Sequence, residues 1–279
     1  MTDHRNQGLQ PTDTPNILYK YVPFNKYSLR LLKDSEIWLA SPGSFNDPFD
    51  SKLHYNYKVN NPTLRKKWAE GVVRDNNPGL TKSVIKSTAK DLLDDMDKDP
   101  NARLKWFEDY QEELTDSKFG IFSVSTKPDN LLLWAHYASD HQGFCVGIDT
   151  YQIGRVQLDF MKRKHLLELK RVEYSSKYPD INFYESMMST DWANDIVRLL
   201  ITKSIDWKYE EEYRLLSWDK SNVGVKLPKY AIREIVLGYR MKPHNKAVIH
   251  NLAIRELKHA ELFAAGKSVG RFSLVLNRI

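Results

Sequence analysis

Trp207-Lys208-Tyr209-Glu210-Glu211-Glu212-Tyr213-Arg214-Leu215-Leu216 is the stretch on which the reading of this chain turns. Its aromatic and apolar end, running on into Ser217-Trp218, has the composition of a strand. Side chains of an extended strand alternate between faces. The alternation predicts Glu210, Glu212 and Arg214 on one face, with Tyr209, Glu211 and Tyr213 on the other. Two carboxylates and an arginine on one face have two readings: the edge of an active site, or a solvated face with an ion pair. Glu211 is the glutamate expected to matter least.

Other strands are legible from β-branched and aromatic runs bounded by turn residues. Ile17–Val22 is stopped by Pro23, and Glu36–Ala40 by Ser41-Pro42-Gly43. Gly120–Thr126, Gly143–Asp149, Val172–Tyr174, Ile232–Gly238 and Phe272–Leu276 follow. Between them lie helical patterns. Ser28–Lys33 is short. Residues 62–117 carry three apolar stripes, punctuated near Asn77-Pro78-Gly79 and at Asp99-Pro100. Asp129-Asn130 precedes Leu131–Ala138 as a capping signal. Residues 185–206 and Lys246–Ala265 read as two more helices.

Strands thus gather at both ends of the chain and helices lie between them, without regular β-α-β alternation. That predicts an α+β fold with a mixed, mostly antiparallel sheet. Residues 1–15 are expected to be a flexible arm. Residues 16–279 are expected to form one domain with a helical insertion at about 62–117.

The totals narrow the class. Of 279 residues, 41% are hydrophobic, enough for a packed core. The formal net charge of +6 suits a phosphate-bearing partner, a nucleotide or a nucleic acid, and proves neither. A single cysteine, Cys145, excludes a disulfide framework and a cysteine-based zinc site; its setting reads as a core thiol. No apolar leader opens the sequence and no run of about 18 apolar residues occurs, so the expectation is a cytoplasmic protein without membrane association.

Familiar motifs are missing. No G-x-G-x-x-G follows the first strand, and no G-x-S-x-G occurs. Gly266-Lys267-Ser268 lacks the leading glycine of a P-loop, because position 261 is Glu261. His136 and His141 lie five apart, off one helical face, so no metal is expected. Ser44-Phe45-Asn46-Asp47-Pro48-Phe49-Asp50 is turn chemistry, and an ordered loop of this kind can also line a pocket.

Several motifs together resemble a bacterial family known as a domain of unknown function, number 2971. They are Leu18-Tyr19-Lys20-Tyr21, Phe45-Asn46-Asp47-Pro48-Phe49, Trp134-Ala135-His136-Tyr137 with His141-Gln142-Gly143, Lys203, and Trp207-Lys208-Tyr209-Glu210 before Glu212-Tyr213-Arg214. The resemblance spans about residues 17–240. It fixes kinship and carries no mechanism.

A second resemblance is to the ADP-ribosyltransferase superfamily. It rests on the order of three strands: an aromatic one with a polar centre, a Ser-x-Ser-Thr one, and a Glu-x-Glu one. The resemblance implies NAD as substrate and an ADP-ribosyltransferase-like fold. Tyr19, Lys20 and Tyr21 would be the first element and Ser123, Ser125 and Thr126 the second. Glu210 and Glu212 would be the catalytic third, with Glu212 foremost. Asn46, Trp134, His136 and Arg214 are further candidates for the nucleotide site. A fixed carboxylate would steady positive charge on the ribose as the nicotinamide bond breaks. A second could orient or deprotonate an acceptor, nucleic acid or protein, as in a toxin or phage-defence effector. The sequence departs from that pattern at Lys20, where Arg or His is expected, at Ser-Val-Ser-Thr, and in the insertion.

Two other readings stay open. Aromatics interleaved with bases, as in Lys162–His165 and Tyr174–Tyr178, fit a nucleic-acid-binding module without chemistry. Glu210, Glu212 and Asp47 around a divalent ion would make a nuclease.

Overall fold

The computed structural model describes residues 14–163 and 165–279. Residues 1–13 of the expected arm, and Lys164 of the basic run, lie outside the described residues. The two remaining arm positions are anchored. Thr14 is buried, and the Pro15 carbonyl accepts from the Thr150 hydroxyl at 2.8 Å.

The fold is α+β, built on a large, mostly antiparallel sheet. The chain divides into two compact units. The first comprises residues up to Ser44, Ser117–Val172 and Asp206–Ile279. Its eight-stranded sheet holds β1 (Ile17–Val22), β3 (Phe119–Ser125), β4 (Phe144–Asp149), β5 (Leu167–Arg171), β8 (Glu212–Trp218), β10 (Ile232–Leu237), β11 (Glu261–Lys267) and β12 (Leu274–Arg278). The spatial order is β12-β11-β10-β4-β1-β3-β8-β5. Neighbours run antiparallel except β10 and β11. A separate pair joins β2 (Glu36–Leu39) to β9 (Val223–Lys226).

One sheet face carries Leu18, Phe122, Val146, Ile148, Leu169, Leu215 and Ile235. It packs against α1 (Leu29–Lys33), β2, α6 (Thr150–Lys162) and α9 (Pro243–Glu256) through Leu31, Leu32, Ile37, Ile153 and Ile249. The opposite face carries Tyr21, Cys145, Val236, Ala265 and Leu274 under Leu133, Trp134 and Ala138 of the α5 region (Leu131–Tyr137). Asn130 caps α5 by accepting from the Leu132 and Leu133 amides, as the sequence predicts.

The second unit comprises Phe45–Asp116 and Glu173–Ile205. It holds α2 (Pro62–Asn76), α3 (Lys82–Lys98) and most of α4 (Pro100–Lys118), the three helices expected at 62–117. With them are β6 (Glu173–Ser175), β7 (Thr202–Ser204), α7 (Phe183–Met187) and α8 (Trp192–Ile201). Asn61 and Thr81 cap α2 and α3. The rings of Tyr57, Trp68, Phe107 and Phe183 pack together, with Tyr57 stacked on Phe107 at 4.6 Å.

Three expected elements differ. The helix over 185–206 is broken: Met188 to Asp191 separate α7 from α8, and Thr202–Ser204 pair as a strand with β6. The helix over Lys246–Ala265 stops at Glu256, and Glu261–Lys267 pairs parallel with β10. Leu262, Ala264 and Ala265 tolerate a helix by local propensity, and pairing with a central strand overrides it. The strand through Tyr209–Glu211 is a 3-10 turn over Ile205–Glu210, and Glu211 is left-handed at φ 45°.

Candidate functional site

The three strands that the sequence singles out are consecutive in the sheet: β1, β3, β8. Their register places Tyr19 opposite Ser125, and Ser125 opposite Glu212. The row continues the other way through Gly147 and Glu234. Residues directly opposite one another share a face, so Glu234, Gly147, Tyr19, Ser125 and Glu212 form one line across five strands. Ser123 and Arg214 face each other one step along.

Glu212 and Arg214 are two apart on β8, so strand alternation brings them together. Arg214 donates from Nε to Oε1 of Glu212 at 2.8 Å and from Nη2 to Oε2 at 3.1 Å. Exposure is 3% for Glu212 and 0% for Arg214. A two-pronged pair fixes the plane of the carboxylate as well as its position.

Glu210 is also buried, at 3% exposure, but reaches its place differently. It closes the 3-10 turn, and its Oε1 accepts from the Tyr137 hydroxyl at 2.8 Å. The backbone around it is tied down by side chains. Asn130 Nδ2 donates to the Tyr209 carbonyl at 2.6 Å, and the Ser125 hydroxyl to the Glu210 carbonyl at 2.6 Å. The Thr126 hydroxyl donates to Glu211 Oε2 at 2.5 Å, and Lys127 Nζ bonds Glu211 Oε1. The Lys127 ammonium and the Thr126 hydroxyl hold the Glu211 carboxyl below the usual carboxylate range. The middle glutamate is therefore an anchor, where alternation alone makes it the idle one.

The first strand separates its candidates. Tyr19 donates to Glu234 Oε2 at 2.9 Å. Burial, then the Glu234 carboxylate, push its phenol well above the usual range, so it remains a neutral donor. A Cβ on Gly147 would lie 3.1 Å from Cε1 of Tyr19 and 3.0 Å from Cβ of Glu234. The absent side chain is what lets the tyrosine ring pass across β4 to Glu234. Tyr21 donates to the Lys127 carbonyl at 2.5 Å and meets the Trp134 ring edge-on at 5.2 Å. Lys20 points to the opposite face. Its Nζ donates to the Ser123 carbonyl at 2.9 Å and lies 4.9 Å from the centre of the Phe122 ring. That corrects the expected grouping of Lys20 with its flanking tyrosines.

The remaining candidates divide. Trp134 is fully buried, its Nε1 donating to the Pro128 carbonyl at 2.9 Å, so it serves the packing of α5. His136 is exposed, and its ring centre lies 6.0 Å from that of Trp207 and 6.4 Å from that of Tyr209. Trp207 and Tyr209 are themselves 6.0 Å apart. This three-ring cluster is a feature the sequence did not reveal as such; the motifs quoted for the resemblance around 134–137 and 207–210 were the signal. Asn46 is exposed and belongs to the second unit. There Asp47 caps a turn by accepting from the Phe49 amide at 2.9 Å, and the buried Lys203 and Asp50 pair at 3.4 Å. Cys145 lies in the core, its thiol pushed up by burial. Among the described residues no cluster of three potential metal ligands occurs, and no helix is long and apolar enough to cross a membrane.

A family model for proteins of unknown function (DUF2971) matches residues 133–215. The match takes in α5 from Leu133, the 3-10 turn and β8 through Leu215, so the resemblance to that family holds over residues 133–215; β1 and β3 lie outside it. No curated protein and no solved structure matches the chain.

Proposed function

We propose that the β1–β3–β8 face binds nicotinamide adenine dinucleotide and that the protein transfers its ADP-ribosyl group to an acceptor. The adjacency carries this reading: three sequence elements far apart in the chain are neighbouring strands with Tyr19, Ser125 and Glu212 in one row. In the reaction the bond between C1′ of the ribose and the pyridinium nitrogen breaks. Its electron pair leaves with nicotinamide, which departs neutral. A lone pair of the acceptor forms the new bond to C1′, and the acceptor's proton passes to a base.

Positive charge grows on the sugar as the bond lengthens. A carboxylate whose plane is fixed beforehand by Arg214 stabilises that charge most in the transition state. Glu210, oriented by Tyr137, is the base in this scheme. Both carboxylates are buried, so this chemistry requires a motion that exposes them to substrate. The acceptor is a nucleic acid or a protein, and the protein acts as a toxin or phage-defence effector.

The test is to incubate purified protein with cell extract and NAD labelled on its phosphates, following both label transfer and nicotinamide release. Glu212→Gln should lower both by about 100-fold or more. Absence of both in the unaltered protein sinks the reading. Salt-dependent retention of nucleic acid without nicotinamide release would favour an interaction module instead.

A further inference from the structure

We infer that the tip of the β11–β12 hairpin, Val269 to Phe272, inserts into the interface of an anionic lipid bilayer. This contact does not depend on the reaction proposed above.

The hairpin is built to hold its tip in one shape. β11 and β12 pair antiparallel up to Lys267 opposite Leu274. One step further, the Ser268 amide donates to the Ser273 carbonyl at 3.0 Å, and the Ser273 hydroxyl donates to that of Ser268 at 2.8 Å. Gly270, left-handed at φ 71°, helps the chain turn between them. Turn positions ordinarily carry Gly, Pro, Asn, Asp or Ser. Here Val269 and Phe272 stand in the loop, and both are fully exposed. Two large apolar side chains held out in water gain free energy wherever an apolar medium receives them.

Charge around the tip selects the medium. β1 and β10 both run antiparallel to β4 and end beside its first residue, Phe144. β11 runs parallel to β10 and finishes at the same end of the sheet, where Lys267 Nζ lies 5.2 Å from the centre of the exposed Tyr239 ring. The topology therefore gathers segments 23–27, 138–143, 238–242 and 268–273 at that end. With the last residue of β11 they carry Lys26, Arg240, Lys242, Lys267 and Arg271, all exposed, against one acid, Asp140. Such a surface attracts a polyanion, either a nucleic acid or an anionic membrane. The tip decides between them. A nucleic acid rewards flat rings on which bases stack, and Val269 offers none. A bilayer interface rewards aliphatic and aromatic side chains alike, while flanking Lys and Arg meet anionic lipid. The expectation of no membrane association came from the lack of a long apolar run, and a contact confined to the interface needs none.

Co-sedimentation of the full chain with vesicles tests this. Vesicles of equal parts phosphatidylglycerol and phosphatidylcholine should retain the protein at low salt, and phosphatidylcholine alone about tenfold less. Val269→Ser with Phe272→Ser should weaken retention by about tenfold or more. Lys267→Glu with Arg271→Glu should do the same by removing and reversing the attraction, again by about tenfold or more. All four side chains are exposed, so both variants should unfold at the temperature of the unaltered protein. A polarity-sensitive dye on Val269→Cys should shift to the blue on the anionic vesicles, and the buried Cys145 leaves the tip as the site of labelling. No retention by anionic vesicles would overturn the inference, as would retention that the serine variant leaves unchanged. Two further results would overturn it by naming another occupant. A single-stranded oligonucleotide held by the unaltered protein and lost by the serine variant, without vesicle binding, would assign the tip to nucleic acid. Concentration-dependent dimerisation abolished by the same variant, without vesicle binding, would assign it to a second copy of the chain.

Discussion

Arg214 closes on Glu212 with two parallel hydrogen bonds, 2.8 and 3.1 Å long, and neither side chain has meaningful contact with solvent. Removing one member of such a pair takes a charge-assisted partner from a buried group, which typically costs about 3–5 kcal/mol. Arg214→Met keeps most of the aliphatic stem and removes the guanidinium, so it should destabilise the protein by that order. Replacing both residues, as Glu212→Leu with Arg214→Met, should cost less than the single change, because no buried carboxylate is then left short of its guanidinium. Urea unfolding midpoints of the two variants decide it; a single variant within about 1 kcal/mol of the unaltered protein refutes this account of the pair.

Glu211 sets up a pH-dependent contribution. Its carboxyl is held below the usual carboxylate range by hydrogen bonds from Lys127 and Thr126. A carboxyl depressed in the folded state stabilises it above the unfolded value and loses that contribution as pH falls through the folded value. Glu211→Gln should therefore be less stable than the unaltered protein near neutrality, and the gap should close as the solution is acidified below about pH 4.5. The side chain is 38% exposed, so screening by solvent keeps the effect modest. Backbone geometry adds a second comparison. At φ 45° a side chain carries a steric cost that glycine avoids. Glu211→Gly should unfold at higher denaturant than Glu211→Ala, although both lose the tie to Lys127.

Much of the sheet was legible because its signals are local. The run Ile17–Val22 and the alternation in Phe119–Ser125 define their strands without help, and Asn130 announces α5 by its capping chemistry. The acidic stretch was legible only from Glu212 onward. Before it, the left-handed turn at Glu211 depends on Ser125, Thr126, Lys127 and Asn130, all about 80 residues earlier in the chain. Alternation cannot foresee a turn imposed by partners so distant. The same holds for β11, whose alanines and leucine suit a helix until β10 supplies a pairing edge, and for α6 and β5, which no single motif marks. Within the candidate site, sequence brought together Tyr19, Ser125, Glu212 and Arg214. It did not separate Lys20 from its neighbours by face. Nor did it show that His136 meets Trp207 and Tyr209, since that depends on how α5 lies over the sheet.

Gly147 makes the cross-sheet row possible, and a methyl group there should break it. The added Cβ would stand 3.0 Å from Ile17 Cγ2 and Glu234 Cβ and 3.1 Å from Tyr19 Cε1. Central strands cannot move apart without losing ladder hydrogen bonds, so the Tyr19 ring has to yield. Gly147→Ala should cost about 1–3 kcal/mol, the usual price of overpacking, and should part the Tyr19 hydroxyl from Glu234. Tyr19→Phe removes the same hydrogen bond without the clash and should cost less. A crystal structure of Gly147→Ala with the 2.9 Å bond intact would show that the ring passes β4 for some other reason.

Tyr137 and Glu210 allow the chemical and structural roles of a buried carboxylate to be told apart. The Tyr137 hydroxyl donates to Glu210 Oε1 at 2.8 Å, and Glu210 is 3% exposed. Tyr137→Phe takes a donor from a buried carboxylate, a loss of about 1.5–3 kcal/mol for a hydrogen bond to a charged group. Glu210→Gln keeps an amide oxygen that can accept from the same hydroxyl, so it should disturb the fold less. It cannot take a proton from an acceptor, however. If Glu210 is the base of the proposed transfer, Glu210→Gln should lower the rate of label transfer by about 100-fold or more while its thermal unfolding stays close to that of the unaltered protein. Tyr137→Phe should show the converse, a clear loss of stability with a smaller loss of rate. Equal rates for Glu210→Gln and the unaltered protein would remove Glu210 from the chemistry and leave it as the fastening between α5 and the turn that leads into β8.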